Sequence, residues 1–159
     1  MPTNGLEIFD TTVQETNHWL KLMMQELDSD NRRQSFNALR SGLHALRDRL
    51  GVAHAVGLGA QLPMLLRGAY YEGWQPNGTP THERHATDFL NHVDANLART
   101  SPFDASEVTR AMFRVLSECL DAGEMRKILH MLPPEIRTLC PDYAVSHFSS
   151  GPESKLQPD

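Results

Sequence analysis

Ala60-Gln-Leu-Pro-Met-Leu-Leu-Arg-Gly-Ala-Tyr-Tyr-Glu-Gly-Trp74 is the stretch on which the reading of this chain turns. Its front end returns in the second half as His130-Met-Leu-Pro-Pro-Glu-Ile-Arg137. Leu62-Pro63 and Leu132-Pro133 therefore stand 70 positions apart, and Arg67 and Arg137 keep the same offset. Self-similarity at a fixed spacing marks a duplicated structural unit. Carried along the chain without gaps, the offset pairs Leu20 with Leu90, Leu27 with Leu97, Arg40 with Arg110, Leu46 with Leu116 and Leu50 with Leu120. Trp19 and Phe89, Leu43 and Phe113, Asp48 and Glu118, Leu58 and Ile128, and Leu66 and Ile136 are physically equivalent pairs. Most matches fall on apolar positions or on the Leu-Pro break, so what recurs is a fold unit.

The apolar spacing is helical throughout. Thr12-Val-Gln-Glu15 has the spacing of a capping box and predicts a first helix to about Asp28, with Val13, Thr16, Leu20, Met23 and Leu27 inward and Trp19 and Met24 flanking. Ser29-Asp30-Asn31 caps a second helix whose stripe is Phe36, Leu39, Leu43, Leu46 and Leu50. A shorter helix covers 52–61, weakened by Gly57 and Gly59. Pro63 opens another, which Gly73 can stop in a left-handed conformation. Gln75 to Thr81 is a linker by its turn residues, and Thr79 with Pro80, or Thr81 with Glu83 in the first turn, is expected to start a long helix. Asp104-Ala-Ser-Glu107 caps a further buried helix, and Met125 to Leu139 carries the last turns. The expected fold is all-α: two tandem helical repeats of about four helices each, packed into one compact bundle. Residues 8–74 form the first repeat, 75–81 the linker, 82–141 the second repeat and 142–159 a partly disordered tail.

Composition narrows the function classes. A formal charge of −5 and no basic face argue against nucleic acid, because phosphate binding needs one. The basic cluster from Arg40 to Arg49 reads as a solvated helix face with Asp48 inside it. No apolar run reaches the roughly 18 residues of a membrane span. The start lacks the basic and apolar regions of a signal peptide, so the expected location is cytoplasmic. Cys119 and Cys140 read as small hydrophobes rather than a disulfide framework.

Thr16-Asn-His-Trp-Leu20, His44-Ala-Leu-Arg-Asp-Arg-Leu50, the Ala60–Trp74 run and Glu83-Arg-His85 resemble an uncharacterised bacterial family, domain of unknown function 2267, over about residues 8 to 141. The resemblance implies an all-α fold of two helical repeats and a bacterial source. It brings no activity and therefore no catalytic residues.

Among candidate sites, His82, His85, Asp88 and His92 share part of one helix face. Four groups spread over almost three turns cannot surround one ion, so no metal and no cofactor is expected there. No nucleophile elbow, glycine-rich phosphate loop or Cys-x-x-Cys occurs, which leans against an enzyme. The aromatics Tyr70, Tyr71 and Trp74 have no counterpart in the second half, where their equivalents begin Cys140-Pro141. With Arg67 and His85 they make the candidate binding or junction patch. Either they are a partner surface, or they plug one repeat against the other, with the Trp74 indole N–H given an acceptor. The expected function is non-catalytic contact with a protein partner or within a homo-oligomer. The alternative is a metal or small ligand at the inter-repeat junction.

Overall fold

The computed structural model describes residues 5–141, so the expected tail at 142–159 lies outside the described residues. Its helices are α1 (Glu7–Glu26), α2 (Arg32–Arg49), α3 (Val52–Gln61), α4 (Met64–Tyr71), α5 (Ala86–Asn96), α6 (Ala105–Cys119), α7 (Ala122–His130) and α8 (Pro134–Arg137). A 3₁₀ turn spans Pro76–Gly78, and no strand occurs among the described residues. The chain is all-α and forms a compact helical bundle.

α1 starts earlier than the Thr12 capping box predicts. Its cap position is Leu6, which offers no side-chain bond. Thr12, inside the helix, uses its hydroxyl elsewhere, accepting from Leu65 N at 2.9 Å. That amide is in the first turn of α4, where backbone donors have no partner in their own helix. The inner face is also rotated: Trp19 is buried with Thr16, Leu20 and Met23, while Val13 is exposed.

α2 is the central element. Asn31 caps it by accepting from Gln34 N at 2.9 Å. It packs against α1, α3, α4, α5 and α6, and is buried on most sides. Small residues let neighbours come close: a Cβ on Gly42 would lie 3.0 Å from the Met112 sulfur of α6. α6 opens on the expected box, with Glu107 N donating to Asp104 at 2.8 Å and Asp104 N donating to Glu107 at 3.2 Å.

α5 begins at Ala86, not near Thr81, because 81–85 are held extended on the end of α2. Thr81 N donates to Asp48 O at 2.8 Å, and Arg49 Nε donates to Glu83 O at 2.7 Å. The connection therefore runs well past the predicted linker. α1 and α5 each pack on both α2 and α6, and α3 packs on α7, so both halves of the chain contribute to one core. Leu39, Leu43, Leu46, Phe89, Met112, Phe113 and Leu116 are fully buried within it.

Candidate functional site

The aromatic residues of the sequence patch meet at the end of α4. Tyr70 is fully buried, and its hydroxyl donates to Ala55 O of α3 at 2.6 Å. Burial pushes its pKa well up, so the phenol stays protonated. Tyr71 stands edge-on to Tyr70 with ring centroids 4.9 Å apart, and Trp74 follows at 5.4 Å from Tyr71. This packing explains Gly59. A Cβ there would come within 2.7 Å of Tyr71 Cζ and 3.1 Å of Tyr70 Cε1, so the glycine that weakens α3 makes room for the rings. Trp74 is half-buried against the core, but its Nε1 is buried without an acceptor among the described residues, contrary to expectation.

Arg67 and His85 do not join this cluster. Arg67 Nε donates to Gly59 O at 2.8 Å and its terminal nitrogen to Leu62 O at 2.9 Å, fastening the free carbonyls at the end of α3. Arg137 does the same for Leu129 O and Leu132 O, each at 2.9 Å. His85 is exposed, with Nδ1 2.8 Å from Glu135 of α8. Glu135 also accepts from Ala86 N at 3.3 Å, placing a carboxylate at the start of α5.

The residues that the sequence reading missed lie beside the aromatics. Arg47 is not on a solvated face: it is 3% exposed. Its Nε donates to Asp48 at 2.8 Å, and its Nη1 donates to Tyr70 O at 2.7 Å and Glu72 O at 2.9 Å. Asp48 lies 3.6 Å from Nε2 of His92, whose Nδ1 is 2.7 Å from Glu83. The Thr81 hydroxyl completes the chain by donating to Glu83. Sequence gave one signal for this: by the offset of 70, Arg47 and His92 stand opposite Ser117 and Leu22, exceptions like the aromatics.

The carboxylates of Asp48 and then Glu83 raise the His92 pKa to about 9. Both acids sit below their usual range. Burial alone would raise them, but His92 and Arg47 lower Asp48, and His92 and Thr81 lower Glu83. A histidine whose pKa rises on folding stabilises fully below its unfolded value near 6.5, and that contribution is lost as pH climbs through the folded value. Unfolding free energy should therefore fall by roughly 2 kcal/mol from this group between pH 6.5 and about 9. On the acid side the contribution of Asp48 and Glu83 is present above about pH 4.5 and disappears below it. Urea unfolding across pH checks this, and His92→Gln should flatten the alkaline slope. An unchanged slope would take His92 out of the network.

The four residues considered for metal are divided. His85 faces Glu135, His92 faces Glu83 and Asp48, and His82 and Asp88 are exposed. Among the described residues no group of three or more His, Cys, Asp or Glu side chains could hold an ion. Cys140 is buried in the core and Cys119 is half-buried, where burial lifts its thiol to about 11.

Two surface features remain. The outer end of α1 exposes Leu6, Ile8, Phe9 and Val13, and the start of α4, which packs on α1, exposes Met64 and Leu65. Between α1, the Leu62-Pro63 turn and the end of α6 lies a groove of about 450 Å³, with Gln14, His18, Trp19, Gln61 and Cys119 among its lining. No helix among the described residues is long and apolar enough to cross a membrane.

A family model described as "Uncharacterized conserved protein (DUF2267)" matches residues 16–139. No curated protein matches the chain.

Proposed function

The chain belongs to the uncharacterised conserved family DUF2267, and from that premise we propose a non-catalytic, cytoplasmic protein that acts through protein–protein contact, with a second copy of itself as the partner. The observation that carries this reading is the apolar surface at the α1–α4 contact. Phe9 is 49% exposed and Leu65 53%, in a chain whose other large apolar side chains mostly enter the core. Apolar side chains clustered on a surface mark contact sites. The patch first considered as a partner surface is better suited to a joint, because Tyr70 is closed off and its carbonyl is held by Arg47. A metal or small-ligand site at that junction has less behind it, since the junction side chains are engaged with backbone and with one another.

Size-exclusion chromatography with light scattering tests the contact. The natural chain should associate as its concentration rises, and Phe9→Glu with Leu65→Glu should leave a monomer of unchanged melting temperature. A natural chain that stays monomeric throughout would overturn self-association.

We also propose that the bundle is an internal duplication, 8–74 and 82–141 joined by a linker. Three observations support it. α1 and α5 end at Glu26 and Asn96, and α2 and α6 at Arg49 and Cys119, each pair 70 apart. Arg67 and Arg137 fasten carbonyls at the same offset. Gly42 touches Met112, its own counterpart, as residues on a two-fold axis would.

A further inference from the structure

The segment before α5 and the start of α1 are equivalent in sequence but differ in backbone. By the offset of 70, residues 77–85 correspond to 7–15. The first-half residues are the opening turns of α1, which begins at Glu7. In the second half, 81–85 run non-helical and α5 begins only at Ala86. Local sequence favours a helix there too. Thr81 with Glu83 in the first turn is a helix start, whereas His85, the observed cap, makes no side-chain bond. Tertiary bonds override that preference. Thr81 N donates to Asp48 O, Arg49 Nε donates to Glu83 O at 2.7 Å, and the Glu83 carboxylate lies 2.7 Å from His92 Nδ1. Glu135 of α8 adds a hold on His85 at 2.8 Å. At the counterparts of Arg49, His92, Glu83 and Glu135 the first half has Cys119, Leu22, Val13 and Leu65, none of them charged. Where the ionic clasp is missing, the segment is helix.

We propose that residues 81–85 are a two-state strap: the clasp of Asp48, Arg49 and His92 holds them extended, and once it opens they wind on as a further turn of α5. The comparison with α1 rests on the duplication proposed above; the strap's own bonds do not. His92 is the catch that pH releases. It stands between two carboxylates, Glu83 at 2.7 Å and Asp48 at 3.6 Å, and only the doubly protonated ring offers an N–H to each. On α2, Arg47 is bonded to Asp48, and Arg49 to the Glu83 carbonyl. α8 brings Glu135, which faces His85 rather than His92, and the buried side of α6 carries no charge. Asp48 and Glu83 keep the ring protonated up to about pH 9, and above that one of them loses its donor. In the wound state Ala86 N gains the carbonyl of His82 in place of the Glu135 carboxylate, now 3.3 Å away.

Heteronuclear NMR of the full chain reads the strap directly, through the Cα carbon shifts of residues 82–85. The variant is Arg49→Gln with His92→Leu, which places at 92 the residue type found at 22. Its shifts should move from the extended to the helical side of random-coil values. Extended shifts retained in a folded variant overturn the proposal, because the strap then holds without its clasp. Random-coil shifts also overturn it, in favour of a strap that detaches without winding. Should the double variant not fold, the natural chain taken through about pH 9 decides by the same three outcomes, the change being centred where His92 loses its proton. None of these readings depends on self-association or on the duplication, so a failure here leaves both standing.

Discussion

Arg47→Ala should destabilise the protein by about 3–5 kcal/mol, the cost of breaking a buried ionic contact from one side. The guanidinium is 3% exposed and fills three roles at once. It neutralises Asp48, and it satisfies the carbonyls of Tyr70 and Glu72 at the end of α4, where helix acceptors have no partner in their own helix. Alanine would leave a half-buried carboxylate and two carbonyls without their donor, and each deserted group carries its own desolvation penalty. Lysine should recover only part of the loss. One ammonium cannot reproduce the planar fork that serves Asp48 and both carbonyls together. The neighbouring pair Arg40–Glu72 is the internal control. It is of similar length, 3.1 Å, but its side chains are 40% and 64% exposed, so Arg40→Ala should cost no more than about 1 kcal/mol. Urea unfolding of the three variants measures all of this. A loss below about 1 kcal/mol for Arg47→Ala would mean that water, not protein, satisfies those groups.

Arg47 also shows where sequence reading stops. The helix class and most of the buried stripe of α2 were legible, because Leu39, Leu43, Leu46 and Leu50 repeat at helical spacing and each is fully buried. The Asp104–Glu107 box was legible too, since capping is a local interaction. What failed was non-local. A helix with one apolar stripe is expected to expose its opposite side, but α2 lies at the centre, covered by α4 on the flank that carries Arg47. Nothing within the run Arg-Ser-Gly-Leu-His-Ala-Leu-Arg-Asp-Arg records that cover. The start of α5 failed for a related reason: the bonds holding 81–85 extended come from Asp48 and Arg49, more than thirty positions upstream. Of the candidate patch, Tyr70, Tyr71 and Trp74 stood out in the sequence as exceptions to the offset of 70, and their rings lie together in the structure. The directions of Arg67 and His85 were not legible, because a long side chain can reach several partners that sequence spacing does not distinguish.

Leu46→Ala and Leu116→Ala should each cost about 2–5 kcal/mol, the range for truncating a buried leucine in a packed core. Both side chains are fully buried, on α2 and α6. Burial alone makes two large losses; a duplication adds a sharper expectation. Residues at equivalent places in the core should leave similar cavities, so the two losses should agree within about 1 kcal/mol. Their surroundings are matched as well, since α2 packs on α1 and α5, and α6 on α5 and α1. The two helices also pack directly on each other. The double variant should therefore depart from the sum of the singles, because contacting elements that share a cavity couple by about 0.5–3 kcal/mol. Chemical denaturation of the two singles and the double decides the matter. Unequal losses with strict additivity would leave two buried leucines in unrelated settings. That would remove one of the physical reasons for pairing residues 8–74 with 82–141.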